Sequence, residues 1–351
     1  MEDKSASKVM ELLGLGPLQM SLKLAIELKL FEIINSSGPQ SMLSASQIAS
    51  HLPTSNSSAS SSLDRILSLL ASHSILTTTL GEKGERLYGL TPICNYFVPD
   101  QNRVSLGPLF MFFHDKVLME SWSYLKNRVL EGSVPFNMAH GMGVFDYMAK
   151  DERFRRVFNE GLYNHSVSVM GDLLEKYKGF DESVAEVVVD VGGGIGASMK
   201  MLVSKYPHIK GVNFDLPHVV ADAPPSPGVE HVSGDMFKGV PNGDIMFMKF
   251  ILHTFDDEHC VAILKNCWNA LPEHGKVLIV EHVLPPSNIS EYPDESRLAF
   301  TADAMMLVYR DGGRERTLVE YEELAKRGGF HGMKAFPCSL GIIAIELQKG
   351  S

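Results

Sequence analysis

From about residue 184 onward the chain alternates short apolar, β-branched runs with helical stretches. EVVVDV, GVNFD, VEHVSGD, DIMFMKF and KVLIVEH follow one another in that order. Runs this apolar have no polar face to offer water, so they predict a parallel sheet covered on both faces, with the helical stretches as crossovers. The closing HGMKAFPCSLGIIAIELQ holds two strand-like runs close together, which predicts a C-terminal antiparallel hairpin. Before about residue 170 the texture is helical. LQMSLKLAIELKLFEIIN carries apolar residues at three- and four-residue spacing, as an amphipathic helix needs. SASQIASHL predicts a short helix capped by Ser44, TSNSSASSS (54–62) a polar loop, and LDRILSLLASHSIL another helix. LTTTLGEKGERLYGLT reads as a hairpin. With 351 residues available, the expectation is an α/β protein of two domains. Residues 1–170 form a helical, winged-helix-like domain, and residues 171–351 a Rossmann-like domain.

Helix, short helix, helix, hairpin is also the order of a DNA-binding winged helix. The charge argues against that use: 32 Lys and Arg face 42 Asp and Glu, a net −10, which disfavours nucleic acid and anionic membrane. The segment that would act as recognition helix, SSSLDRILSLLASH, has one arginine and no basic stripe. The N-terminal MEDKSASKVMELLGLG lacks the basic and apolar regions of a signal peptide. No run approaches the roughly 18 apolar residues of a membrane span. Cys94, Cys260, Cys267 and Cys338 are scattered, without metal-ligand spacing or a disulfide framework. The expectation is a reduced, cytoplasmic protein without nucleic-acid or membrane partners.

VVVDVGGGIGASMKMLVSKYP is a strand, a glycine turn and a helix. Such a turn lets a ligand approach the main chain. Gly192-x-Gly194-x-x-Ala197 fits a dinucleotide fingerprint. Gly192-x-Gly194-x-Gly196, preceded by Asp190, fits an S-adenosylmethionine loop. Asp215, at the end of the next strand, suits either reading as a ribose-binding carboxylate. Asp235 and Met236, in GDMF after the third strand, favour S-adenosylmethionine: the carboxylate accepts from an adenine amino group and the thioether packs on the ring. An NAD-dependent oxidoreductase would need a further nucleotide-binding half, and the sequence offers none.

Ligands of open α/β sheets bind beyond the carboxyl ends of the strands. His253 lies just past DIMFMKF, Glu281 at the end of KVLIV, and Glu315 in DGGRERT, before a helix that Thr317 and Glu320 start as a capping box. A lone histidine there would be an ordinary core or capping residue. Two carboxylates and a cofactor loop on the same rim turn the reading toward catalysis.

VDVGGGIG, NFDLPHVV, GVEHVSGDMF, MKFILHTFDDEHC, VEHVLP and GGRERT occur in the order seen in plant small-molecule O-methyltransferases. The chain resembles their caffeic acid O-methyltransferase-like branch, which includes alkaloid-methylating members. DKVLMESW and FNEGLYNHS extend the likeness over nearly the whole chain. The resemblance implies a homodimer built on the N-terminal helical domain, a class I methyltransferase domain and a metal-independent reaction. It implies that Gly192, Asp215, Asp235, Met236 and Lys249 hold S-adenosylmethionine, and that His253 is the base, flanked by Glu281 and Glu315. Methyl transfer to a phenol suits such a base. Phenol has a pKa of about 10 and imidazole about 6.5, so removing the proton during attack avoids populating the free phenolate.

Departures from the family pattern are local. Thr254 stands where the family usually has Asp, which puts a cofactor contact in doubt, and Phe255 where it often has Trp. The alignment also puts Phe112, Phe113, Met148, Phe158, Leu162, His165, Asp303, Met306 and Arg310 at a substrate pocket, shared by the two domains. Phe113, Met148 and Arg310 replace polar residues of caffeate-type enzymes. With Asp303 as partner for a cationic nitrogen, the expected acceptor is a phenolic benzylisoquinoline or protoberberine alkaloid, with a flavonoid or phenylpropanoid as the alternative.

Overall fold

The computed structural model describes residues 4–38, 40–101, 104–181, 185–286, 297–338 and 341–350. Contacts group the chain into two compact units, Met1–Asp115 with Arg156–His165, and Lys116–Arg155 with Ser166–Ser351.

The first unit opens with α1 (Lys4–Glu27) and α2 (Leu30–Ser36). The sequence predicts one helix here; the structure has two, because Lys29 adopts a left-handed backbone with φ 54°. Apolar spacing persists across the break because both helices feed one core, through Leu22, Ala25, Leu30, Phe31 and Ile34. β1 (Leu43–Ser44) leads into α3 (Ala45–Ala49), where Ser44 and Gln47 close the expected cap as a full capping box. α4 (Ala59–Ser72) begins inside the serine-rich stretch. The loop expected over 54–62 therefore ends early: Leu63, Leu67 and Leu70 bury one face and pull the polar first turn into the helix. β2 (Leu76–Leu80) and β3 (Arg86–Leu90) form the expected hairpin, extended by β1 to the order β1-β3-β2. α5 (Gly107–Phe113) completes this unit with residues 156–165. Val9, Met10, Leu12 and Leu13 of α1 stand exposed. By length and composition α1 is apolar enough to cross a membrane, contrary to the expectation of no such stretch. Serines, glycines and lysines interrupt its apolar residues and disguise it as a run.

The second unit begins with α6 (Lys116–Ser121), α7 (Leu125–Glu131), α8 (Pro135–His140), α9 (Val144–Lys150) and α10 (Glu152–Lys176). The Rossmann-like part follows: β4 (Val187–Val191), α11 (Ala197–Lys205), β5 (Lys210–Asp215), α12 (Pro217–Val220), β6 (Val229–Ser233), β7 (Ile245–Lys249), α13 (Asp257–Ala270) and β8 (Lys276–Leu284). Then come α14 (Arg297–Tyr309), β9 (Arg316–Thr317), α15 (Leu318–Gly328), β10 (Gly332–Pro337) and β11 (Ile342–Gln348). The sheet order is β10-β11-β8-β7-β4-β5-β6, with β9 beside β8. β6, β5, β4, β7 and β8 are parallel neighbours. β11 and β10 form the antiparallel hairpin foreseen at the C-terminus. β7 and β8 are almost wholly buried, because separate apolar clusters cover the two faces of the sheet. From β4 the chain runs outward through β5 and β6, then returns to the other side of β4 as β7. The sheet's switch point thus lies between β4 and β7, where a ligand crevice opens at the strand ends.

Candidate active site

At the end of β4 the chain turns through Gly192, Gly193, Gly194, Ile195 and Gly196 into α11. Gly192 has φ 77°, and a Cβ there would lie 2.5 Å from Ile251 Cδ1. Glycine at 192 therefore serves both the turn and the close approach of the segment after β7. Asp215, at the tip of β5, accepts the Gly194 N–H at 2.8 Å and the Leu216 N–H at 2.7 Å. Its carboxylate is oriented by main chain before any ligand arrives. The Gly234 N–H donates to the Asp215 carbonyl at 2.9 Å, tying in the segment that carries Asp235 and Met236. Asp235 accepts the Phe237 N–H at 3.0 Å, and the Met236 carbonyl is held by Asn266 Nδ2 at 2.8 Å. Lys249, the last residue of β7, donates to Ser166 Oγ at 2.8 Å and lies 4.8 Å from the Phe250 ring centre. Burial lowers its pKa, while the charges of Asp190 and Glu281 oppose the shift.

His253 sits on a single 3₁₀ turn, Leu252–Thr254, just past β7. Its Nδ1 lies 2.8 Å from Glu315 Oε1 and 3.6 Å from Glu281 Oε2. Glu281 comes from β8, and its Oε1 accepts the N–H groups of Ile251 and Leu252, each at 2.9 Å. Glu315 precedes β9, and its own N–H donates to Asp303 Oδ1 at 2.9 Å. Both carboxylates are shut off from water. Burial pushes Glu281 up to about 7 and Glu315 up to about 8, with the Asp303 charge adding to the latter. Burial moves His253 the other way, below its ordinary value, opposed by the charge of Glu281. The ligating atoms of the three groups lie within 4.8 Å of one another, close enough for a metal ion.

The turn that carries His253 is fastened by an arginine the sequence reading did not single out. Arg316 is fully buried. Its guanidinium donates to the carbonyls of Leu252 at 3.0 Å and Phe255 at 2.8 Å, and to Asp257 Oδ1 at 2.8 Å. The Arg314 N–H donates to the His253 carbonyl at 2.9 Å. Thr254 closes the turn on itself, its hydroxyl donating to the Ile251 carbonyl at 2.7 Å. Asp256 is the N-cap of α13, its side chain accepting the His259 N–H.

The expected pocket residues fall in both units. In the first, Phe112 packs against Phe113 at 5.1 Å and Phe158 at 5.2 Å between ring centres, with Leu162 and His165 further along α10. In the second, Met148 is buried on α9, and Asp303 and Met306 lie half-buried on α14. Arg310, just past α14, stacks its guanidinium 4.0 Å from the Phe145 ring centre, and burial lowers its pKa to about 10. It forms no salt bridge among the described residues, since neighbouring Asp311 pairs with Arg128 at 3.3 Å.

Comparison with known proteins gives this geometry a family. The O-methyltransferase domain matches residues 122–331, and the O-methyltransferase dimerisation domain residues 10–100. Desmethyl-yatein O-methyltransferase of Sinopodophyllum hexandrum is 55% identical over 343 residues, 97% of each chain. The chain belongs to the O-methyltransferase family. More specifically, it is an S-adenosylmethionine-dependent O-methyltransferase of the caffeic acid type. Caffeic acid 3-O-methyltransferase 1 of Populus kitakamiensis is 51% identical over 347 residues, 97% of this methyltransferase and 93% of the relative. Human N-acetylserotonin methyltransferase, solved in complex with SAM, has the same fold at 22% identity, with a TM-score of 0.82, 100% of this chain and 99% of that one covered. A methyltransferase of calicheamicin biosynthesis, solved with SAH, matches at 24% identity and TM-score 0.83 over 99% of both chains.

Proposed function

We propose that this methyltransferase methylates a phenolic hydroxyl with His253 as general base. One observation carries the reading: Nδ1 of His253 is engaged by Glu315, which directs its proton to that nitrogen and leaves Nε2 as a lone-pair acceptor. Nε2 removes the phenolic proton as the oxygen attacks. The imidazolium so formed lies between Glu315 and Glu281, whose charges favour it. Gly192, Asp215, Asp235, Met236 and Lys249 hold S-adenosylmethionine, which supplies an electrophilic methyl group. Asp215, already oriented by two main-chain N–H groups, takes the ribose hydroxyls. The reaction needs no metal: Nδ1 and Glu281 Oε1 are already engaged in protein hydrogen bonds. Turnover that survives a chelator supports this, and turnover restored only by a divalent ion refutes it.

For the acceptor, the unpaired Arg310 favours a phenol with an anionic or hydrogen-bond-accepting tail, such as a caffeate-like phenylpropanoid. A relative named for caffeic acid supports the same class. The second reading is a protoberberine or benzylisoquinoline phenol, supported by the apolar Phe113 and Met148 and by Asp303, which has one oxygen committed to Glu315 and the other left for a cationic nitrogen. Steady-state kinetics on caffeic acid and on a phenolic protoberberine decide between them: the higher kcat/KM names the class. The enzyme works as a homodimer through its dimerisation domain. A reducing, cytoplasmic setting suits its four free cysteines.

The base is tested by His253→Ala. Turnover should fall by roughly 10²–10⁴-fold, while calorimetry finds S-adenosylhomocysteine bound as before. Near-normal methylation by the variant would remove His253 from its role.

A further inference from the structure

Asn213 is a fully buried amide inside β5, in a run otherwise apolar up to Asp215. A buried amide is costly unless its hydrogen bonds are made. Its Nδ2 donates to the Gly194 carbonyl at 2.9 Å and lies 3.1 Å from His231 Nδ1 on β6. His231 Nε2 in turn lies 3.0 Å from the Pro224 carbonyl. Carbonyls at both ends fix the protons between them. The Gly194 carbonyl can only accept, so Asn213 must present its NH₂ group. The second amide hydrogen then faces Nδ1, which must accept, and Nε2 carries the proton donated to Pro224. The hydrogen bonds thereby assign His231 one tautomer.

Gly194 is thus gripped from two sides, its N–H by Asp215 and its carbonyl by Asn213. Gly193 fits the same arrangement. Its φ is not positive, so conformational freedom does not explain the glycine. A Cβ there would lie 2.2 Å from Asn213 Oδ1 and 2.6 Å from Asp190 Oδ2, and both of those oxygens are buried without a partner. Any side chain at 193 would push Asn213 off Gly194.

We propose that Asn213 and His231 are positioning residues for the cofactor loop: together they form a strut that fixes Gly194, and with it the Asp215 carboxylate, in the shape that binds S-adenosylmethionine. The proposal rests on the donor lying at the glycine loop with Asp215 on its ribose. Asn213→Asp keeps the shape of the side chain and replaces the donor by an acceptor facing a carbonyl. By calorimetry its Kd for S-adenosylhomocysteine should rise roughly tenfold, equivalent to about 1.4 kcal/mol. Gly193→Ala should do the same. His231→Ala, a change at a half-exposed side chain, should raise Kd about threefold, a fraction of the worth of one hydrogen bond. KM for S-adenosylmethionine should rise in parallel, with kcat at saturating donor unchanged. In the wild-type enzyme, ¹⁵N spectra should show His231 Nδ1 without a proton.

Wild-type affinity in Asn213→Asp and His231→Ala, alongside weakened binding in Asp215→Ala, would overturn the strut while leaving the donor's placement intact. So would a His231 protonated at Nδ1. Unchanged affinity in Asp215→Ala itself would overturn the placement, and the strut with it.

Discussion

Glu281 and Glu315 should pull stability and the proposed catalysis in opposite directions along the pH scale. Both are held above the ordinary 4.5, to about 7 and about 8. Between those values the folded chain binds more protons than the unfolded one. Their contribution to stability is therefore complete below the unfolded value and is lost as pH rises through 7 and 8. In the proposed mechanism the ionised carboxylates stabilise imidazolium, so kcat/KM should climb across the same interval. Replacing both by Gln should flatten the two trends. Thermal melts at pH 5 and pH 9 should show a smaller fall in the variant than in the wild type, and its pH–rate profile should lose the climb. Arg316 is the residue hardest to foresee. In sequence an arginine reads as a surface charge, yet here it is fully buried and spans Leu252, Phe255 and Asp257. Arg316→Lys cannot reproduce that fork. It should cost about 2 kcal/mol, of the order of one hydrogen bond to a charged group, and should lower kcat more than it raises KM, as steady-state kinetics and denaturant melts will read. The meeting of His253, Glu281 and Glu315 was legible because strand ends in an open sheet share a rim. Asn213, His231, Ser166 and Arg316 were not, because their roles depend on which atoms meet across strands.

Elements were legible where local chemistry and burial agree. The capping boxes at Ser44 and Thr317 start α3 and α15 where their sequences predict. The near-continuous apolar runs became parallel strands, and the last two became the edge hairpin. Prediction failed where burial outweighs local signals: at the serine-rich start of α4, and at Lys29, where spacing continues through a left-handed residue. Thr317 also shows how an element boundary reaches the site. It caps α15 and directly follows Arg316 and Glu315 in chain order. Thr317→Ala should cost about 1 kcal/mol of stability, and Thr317→Ser should restore most of it, measured by denaturant midpoint.

For the whole molecule, the exposed Leu12 and Leu13 of α1 lie within the dimerisation domain. Leu12→Glu with Leu13→Glu should shift light scattering from dimer to monomer at micromolar concentration, and wild-type protein found monomeric there would refute the dimer. The two compact units carry a different lesson. The first is not one stretch of chain: residues 156–165 belong to it, fixed by the Ser105 N–H donating to Asn164 Oδ1 at 3.1 Å and by Phe158 against Phe112. A chimaera that takes residues up to 115 from one relative and the remainder from another would part residues 156–165 from the unit they pack with. Recombination between relatives, in the laboratory or in a genome, must therefore carry two separate segments together if the offspring are to fold. Phe112 and Phe158, whose rings pack together, should be inherited as a linked pair.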